Sequence, residues 1–420
     1  MKKLLVNTII YGVAGSLVAL VPLILLPYMT RSMSQDDYGA AVFFGSFVAI
    51  LLPFMGFGAT NALGVRYFQM PRQTFSSYLW SCSVSLPVSV FMACVVIWAN
   101  RQRFLSIEAI SIKWLLVGVV IAGLWGVSQS CGTLLIAKKK PNLYLLINAT
   151  IGIVTISITI ISIQYLGFTW DGFAWGLLIA HLLAATLAVI ILGVAHPPVE
   201  TKIKYLADGI KFGSPIMVHS IAMSLISFFD RLVISKYLGV EHVAKYAVAF
   251  QLGILMSFIA QAFNKAFVPW LYAHLRSDTE ASRVSVVRGT YLIFLLIIVG
   301  TGAFCLILEP LITIIAGPEF IDMYPIAVTI AWAGAFNAGY LMVVNYIFYS
   351  GRTYTLGLVS ASVAIFFIVT SVVITPKYGL SGASLVFLAA NAALFLSIWW
   401  AASRCYAMPW FSVKLLRRLV

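Results

Sequence analysis

Twelve runs of more than twenty residues, almost free of charge, divide this chain, and nothing constrains its fold more. They cover 4-30, 39-63, 77-99, 113-137, 143-166, 172-195, 212-235, 244-271, 289-309, 323-349, 355-375 and 379-403. A run of this length is what a helix needs to cross the hydrocarbon core of a bilayer. The two-residue alternation of a membrane barrel is missing from them, and lipid admits no other spanning structure. Composition agrees: 62% of the 420 residues are hydrophobic and only 10% are charged, far from the balance of a water-soluble domain. The expectation is an all-α integral membrane protein of about twelve transmembrane helices. The connections are too short for a nucleotide-binding or hydrolytic domain.

Charge then sets orientation. The chain carries 27 Lys and Arg against 13 Asp and Glu, a net charge of +14. With both ends in the cytoplasm, eighteen of the 27 cations fall on inner connections and seven on outer ones, as the enrichment of Lys and Arg on the inner side requires. The excess therefore follows from topology. No basic stripe interleaved with aromatics points to nucleic acid. The apolar run after Lys2 and Lys3 exceeds a signal-peptide core and is read as a retained first span. Five dispersed cysteines, Cys82, Cys94, Cys131, Cys305 and Cys405, make neither a disulfide framework nor a metal site.

An internal repeat organises the runs. Arg31-Ser-Met-Ser-Gln-Asp36-Asp-Tyr-Gly39 matches Lys236-Tyr-Leu-Gly-Val-Glu241-His-Val-Ala244, each after the first span of a half. Pro141-Asn-Leu-Tyr144 matches Gly351-Arg-Thr-Tyr354, and Asp171-Gly172 matches Ser381-Gly382. The expected organisation is two pseudo-symmetric six-helix bundles around a central cavity: residues 1-195, a cytoplasmic linker over 196-211, residues 212-403, and a cytoplasmic tail over 404-420. Parallel repeats of this kind bind their substrate where the halves meet.

Phosphate-binding, nucleophile-elbow and zinc motifs are missing, so neither an enzyme nor a cofactor is expected. His181 and His219 read as packed, hydrogen-bonded histidines. Charges inside the runs say more, because each costs at least about 2.5 kcal/mol in hydrocarbon unless it meets water or a partner. Asp230 and Arg231 lie in the seventh run and Lys265 in the eighth. Neighbours about 100° apart on a helix are not expected to form a good pair with each other. Arg31, Arg66, Arg231, Lys236 and Lys265 come from the first two spans of each half and are the candidate cationic lining of the cavity. Arg31 and Arg66 also read as interface anchors, and Arg231 and Lys265 as snorkelling side chains. Pro22, Pro27, Pro215, Pro269 and Gly56-Phe57-Gly58 are candidate hinges. Trp410, Phe411, Lys414, Arg417 and Arg418 read as an aromatic and basic anchor on the inner leaflet.

Several of these segments carry a family resemblance. Leu26-Pro27-Tyr28-Met-Thr-Arg31 with Asp36-Asp37-Tyr38-Gly39, Gly56-Phe57-Gly58, Arg66-Tyr67, Phe229-Asp230-Arg231-Leu-Val-Ile with Lys245-Tyr246, and Tyr378-Gly379-Leu-Ser-Gly382-Ala383 resemble bacterial polysaccharide flippases. These are the O-antigen and capsule repeat-unit translocases of the multidrug/oligosaccharidyl-lipid/polysaccharide exporter superfamily. The resemblance implies residence in the bacterial inner membrane and a substrate of undecaprenyl diphosphate bearing an oligosaccharide. It also implies membrane lipids, a polysaccharide polymerase and a chain-length regulator as partners. Flipping to the periplasmic leaflet would be helped by the membrane potential, with Asp230 as candidate coupling acid for a proton or sodium ion. The alternative is a cation-coupled multidrug or metabolite exporter of the same superfamily.

Overall fold

The computed structural model describes residues 2–102, 110–277 and 279–410. Among these residues the regular structure is entirely helical. Eleven apolar helical stretches are long enough to cross a membrane. They are Ile10–Ser32, Gln35–Gln69, Arg72–Ala99, Ile112–Ala137, Pro141–Leu166, Asp171–Ala195, Ile203–Leu238, Val240–Lys265, Glu280–Ile315, Pro318–Tyr349 and Tyr354–Cys405. We call the first ten spans 1 to 10. The last stretch has 52 residues, about 78 Å of helix at 1.5 Å per residue, more than twice the hydrocarbon thickness. It breaks at Gly379, where φ is 60° and ψ is −147°, so it supplies spans 11 and 12. The twelve runs and the twelve spans correspond one to one.

The chain divides into two compact units, Met1–Ala247 and Val248–Val420. In the first unit, span 6 packs through a stripe of small residues. Gly172, Gly176, Ala180, Ala184 and Ala188 recur every fourth residue and all are buried. Such a face lets helices approach closely where lipid gives apolar side chains no reason to prefer each other. A Cβ built on Gly176 would lie 2.5 Å from Thr159 Oγ1 of span 5.

Span 2 is unwound in its middle. The residues from Met55 to Gly58 leave helical geometry, and Gly56, Phe57 and Gly58 have φ of 72°, 51° and 77°. The expected soft hinge is thus a break, in which Phe57 takes a backbone that bulky side chains seldom adopt. Lipid cannot satisfy the freed amides, so the break must be covered by protein. Span 3, itself interrupted at Val84, does part of this: the Gly56 amide donates to Ser89 Oγ at 2.9 Å. Span 7 covers the other side with bare backbone. A Cβ on Gly213 would fall 1.9 Å from Gly58 O, and one on Gly209 would fall 2.7 Å from Cys82 Sγ. Farther along the same antiparallel pair, Ser224 Oγ donates to Ala49 O at 2.8 Å. At its end the two matched repeat segments touch: a Cβ on Gly39 would lie 2.0 Å from Val240 O.

The candidate hinge prolines occupy two kinds of position. Span 1 breaks at Leu20, placing Pro22 in the first turn of the helix Val21–Ser32, while Pro27 sits inside that helix. Pro215 likewise lies within the continuous helix Ile203–Leu238.

The expected linker over 196-211 is shorter, because helix resumes at Ile203. Residues 196–202 are held on span 3. Ser77 Oγ donates to Glu200 O at 2.6 Å, Trp80 Nε1 to His196 O at 2.9 Å, and the Lys202 amide to Ser81 Oγ at 2.8 Å.

In the second unit, Asn345 on span 10 is buried and donates to Asn264 Oδ1 at 2.9 Å and to Leu341 O at 2.7 Å. The tail reading is corrected at Trp410, which is buried rather than lying on the leaflet. Its ring meets Tyr291, Tyr346 and Trp399 edge-on, and Tyr291 donates to its carbonyl at 2.6 Å. Edge-to-face ring contacts of this kind add to what burial of a large aromatic side chain gains. Phe411, Lys414, Arg417 and Arg418 lie outside the described residues.

Candidate functional site

Two charge clusters are built by span 7. The deeper one contains Asp230 and Arg231, both buried at 1% and 3% exposure. Arg231 curls back along its own helix so that Nη1 reaches Asp230 Oδ1 at 2.6 Å. The expectation that these neighbours would not pair is therefore corrected: Cβ directions diverge, but the flexible arginine stem closes the gap. The same carboxylate oxygen accepts the Arg231 amide at 2.9 Å, and Tyr246 Oη donates to Oδ2 at 2.7 Å. Arg231 Nη1 also donates to Ser227 O. The guanidinium lies over the rings of Phe228 and Tyr246, 5.7 Å and 5.4 Å from their centroids. Burial rules out snorkelling for Arg231. The cluster leaves a charge pair whose members each have fixed partners, the condition for tolerating charge at low dielectric.

The second cluster sits at the opposite end of span 7. Arg66 makes a two-pronged pair with Asp208, Nε to Oδ2 at 3.0 Å and Nη2 to Oδ1 at 2.9 Å. Tyr78 Oη on span 3 donates to Asp208 Oδ2 at 2.9 Å. Arg66 Nη1 donates to Gln69 Oε1 at 2.7 Å, and its plane covers Phe212 at 5.4 Å. Three spans are thus joined by one half-exposed carboxylate. Sequence reading passed over Asp208 because it fell within the expected linker. The signal was present: helical spacing places Asp208 on the same face as Phe212, four residues on.

The remaining predicted cations are exposed. Arg31 occupies the last turn of span 1, and Lys236 the last turn of span 7 with its ammonium 5.4 Å from the Tyr237 ring. Lys265 is exposed on span 8. Of the five, Arg66 and Arg231 are held by carboxylates, while Arg31, Lys236 and Lys265 keep exposed side chains.

A third group lies at the end of spans 4 and 6. Lys138 Nζ is 2.7 Å from His196 Nε2, and His196 Nδ1 is 3.1 Å from Ser76 Oγ. Burial and the charges of Lys138 and Arg72 push the His196 imidazole down to about 4. No group of three or more potential metal ligands occurs among the described residues.

The profile of the family described as "Polysaccharide biosynthesis protein" matches residues 4–274, well over half the chain. The chain belongs to this family. A relative from Haemophilus influenzae, the Lsg locus putative protein 1, is 19% identical over 89% of this chain and 92% of its own length. A second protein of that organism, an uncharacterized membrane protein, is 21% identical over 84% of this chain and 85% of its own. Among solved structures, the fold matches a multidrug resistance MATE family transporter in its inward-facing conformation. That match has a TM-score of 0.72 at 16% identity and covers 96% of both chains. A Pyrococcus furiosus transporter of the same superfamily, whose binding pocket is described as having reverse polarity, matches with a TM-score of 0.68 at 16% identity over 96% of this chain and 95% of its own. The chain thus has the all-helical, membrane-spanning fold of a transporter superfamily, as the resemblance implied.

Proposed function

We propose that this polysaccharide biosynthesis protein flips undecaprenyl-diphosphate-linked oligosaccharide repeat units from the cytoplasmic to the periplasmic leaflet of the bacterial inner membrane by alternating access. The observation that carries this reading is the family match across residues 4–274 on a chain with a transporter fold. Both termini face the cytoplasm, and a polymerase with its chain-length regulator takes the units onward. Arg31, Lys236 and Lys265, exposed and cationic, meet the diphosphate. Arg66 and Arg231 contribute once their carboxylates release them, with guanidinium forks suited to phosphate oxygens.

The driving force follows from charge. Moving each negative charge outward across an inside-negative membrane releases about 2.3 kcal/mol per 100 mV. Asp230, whose carboxylate accepts three hydrogen bonds and pairs with Arg231, is the candidate coupling acid for a proton or sodium ion. The likeness to multidrug transporters favours one second reading, a cation-coupled exporter of drugs or metabolites.

The test uses the full chain in vesicles with a clamped potential, loaded with a fluorescent undecaprenyl-diphosphate oligosaccharide. Translocation should accelerate as the potential draws anions outward, and should fall at least tenfold in an R31Q/K236Q/K265Q variant. Indifference to both voltage and ion gradients, or export of cationic dyes in place of the lipid, would overturn the proposal.

A further inference from the structure

Lys138 closes span 4, and Lys139 and Lys140 lead into span 5 at Pro141. An ammonium can only donate, so in the 2.7 Å contact with Lys138 it is His196 Nε2 that accepts. The ring proton therefore sits on Nδ1 and is donated to Ser76 Oγ. His196 is fixed as a neutral acceptor. Arg72 reaches the same place, since its Nη2 donates to Ala195 O at 3.2 Å. Lys138 is half-buried beside the Tyr67 ring, 5.7 Å from its centroid.

This patch is short of negative charge. Burial and the charges of Lys140 and Arg72 push the Lys138 ammonium below its usual range. Ion pairs join Arg66 to Asp208, Lys202 to Glu200, Arg231 to Asp230 and Lys245 to Glu241. None involves Arg72, Lys138, Lys139 or Lys140. The first turn of span 5, with its positive dipole end, faces the same connection. Lys138 and Arg72 beside a neutral imidazole, with Lys140 close enough to act on the Lys138 charge, make a cationic patch at a helix start. Exposed apolar side chains stand at the same end of neighbouring spans: Phe68, Ile136 and Leu146, exposed at 71%, 49% and 47%.

We propose that Arg72 and Lys138 beside His196, with the neighbouring Lys140, bind the phosphate of an anionic phospholipid of the cytoplasmic leaflet. Phe68, Ile136 and Leu146 give its acyl chains a surface, which free phosphate would have no use for. Basic pockets between spans on the inner side recognise lipid headgroups in this way. The site is independent of the substrate cavity and would bind lipid whether or not the chain is a flippase.

The test is the melting temperature of the delipidated full-length chain in detergent with added phosphatidylglycerol, phosphatidylcholine or inorganic phosphate. A ligand that binds only the folded chain raises its melting point, by an amount that grows with the logarithm of its concentration above Kd. Phosphatidylglycerol should raise it by several degrees; phosphatidylcholine, with the same chains, and inorganic phosphate should not. The shift should be lost in K138Q/K140Q, retained in K138R/K140R, and retained in K377Q. If K138Q/K140Q fails to fold, K140Q alone, altering an exposed side chain, must at least halve the shift. Equal shifts from phosphatidylcholine or inorganic phosphate, or a full shift in the charge-removing variants, would overturn the proposal.

Discussion

A carboxylate one position before an arginine meets it only if the arginine folds back along the helix, and Arg231 does so at the cost of side-chain freedom. What the pair gains is mutual neutralisation out of reach of water. Removing one partner leaves the other buried and uncompensated, which costs about 3 to 5 kcal/mol. Asp230→Ala should therefore destabilise the chain by that much in denaturant unfolding from mixed micelles. The double variant Asp230→Ala/Arg231→Met should recover most of the loss, and a double variant no more stable than the single would break the argument. Tyr246→Phe, which removes one bond to a charged acceptor, should cost about 1.5 to 3 kcal/mol. His196 supplies a prediction in pH. Its imidazole is neutral when folded down to about 4, whereas the unfolded chain takes up the proton near 6.5. The unfolded state then binds more protons between these values, so stability should fall as pH drops from 6.5 towards 4 and stay level above 6.5. Melting curves of the wild type and His196→Gln should differ in slope only within that window. The sequence pointed to Arg66 and Arg231 as consequential cations. It did not reveal their carboxylate partners, because pairing depends on a long side chain's path in one case and on a span longer than its apolar run in the other.

Helices in lipid gain nothing from burying leucine against leucine, so the elements here are joined where side chains are smallest. The stripe from Gly172 to Ala188 and the pair Gly209 and Gly213 are both spaced by four residues, a period that puts small residues on one face. Both patterns stand in the sequence and were hidden among alanines and glycines until their partners were known. Gly176→Val should weaken the span 5 to span 6 contact, since its Cβ alone would fall 2.5 Å from Thr159 Oγ1. Gly213→Ala should be at least as harmful, because the obstructing atom is backbone. Gly193, whose Cβ would meet nothing within 4 Å, is the control, and its change to Ala should be neutral or slightly stabilising. Expression level and melting temperature in detergent would rank the three. The break at Gly56-Phe57-Gly58 was legible only as softness: two glycines announce freedom of φ, but Phe57 takes up the left-handed conformation only with Ser89 and span 7 in place.

At the scale of the molecule, the number and order of the spans were readable because apolar length is a one-dimensional property that the bilayer measures directly. The division into units was less so. The repeat points to residue 196 as a boundary, whereas packing carries span 7 and the first turns of span 8 into the first unit. Helix contacts, not chain midpoint, decide which elements belong together. The stapled connection over 196–202 gives this arrangement a practical corollary. Its carbonyls and amides are bonded to span 3 through Ser77, Trp80 and Ser81, so covalent continuity contributes little to holding spans 6 and 7 in register. A gene cut between codons 198 and 199, with both fragments made in the same cell, should reassemble spontaneously into a complex that co-purifies.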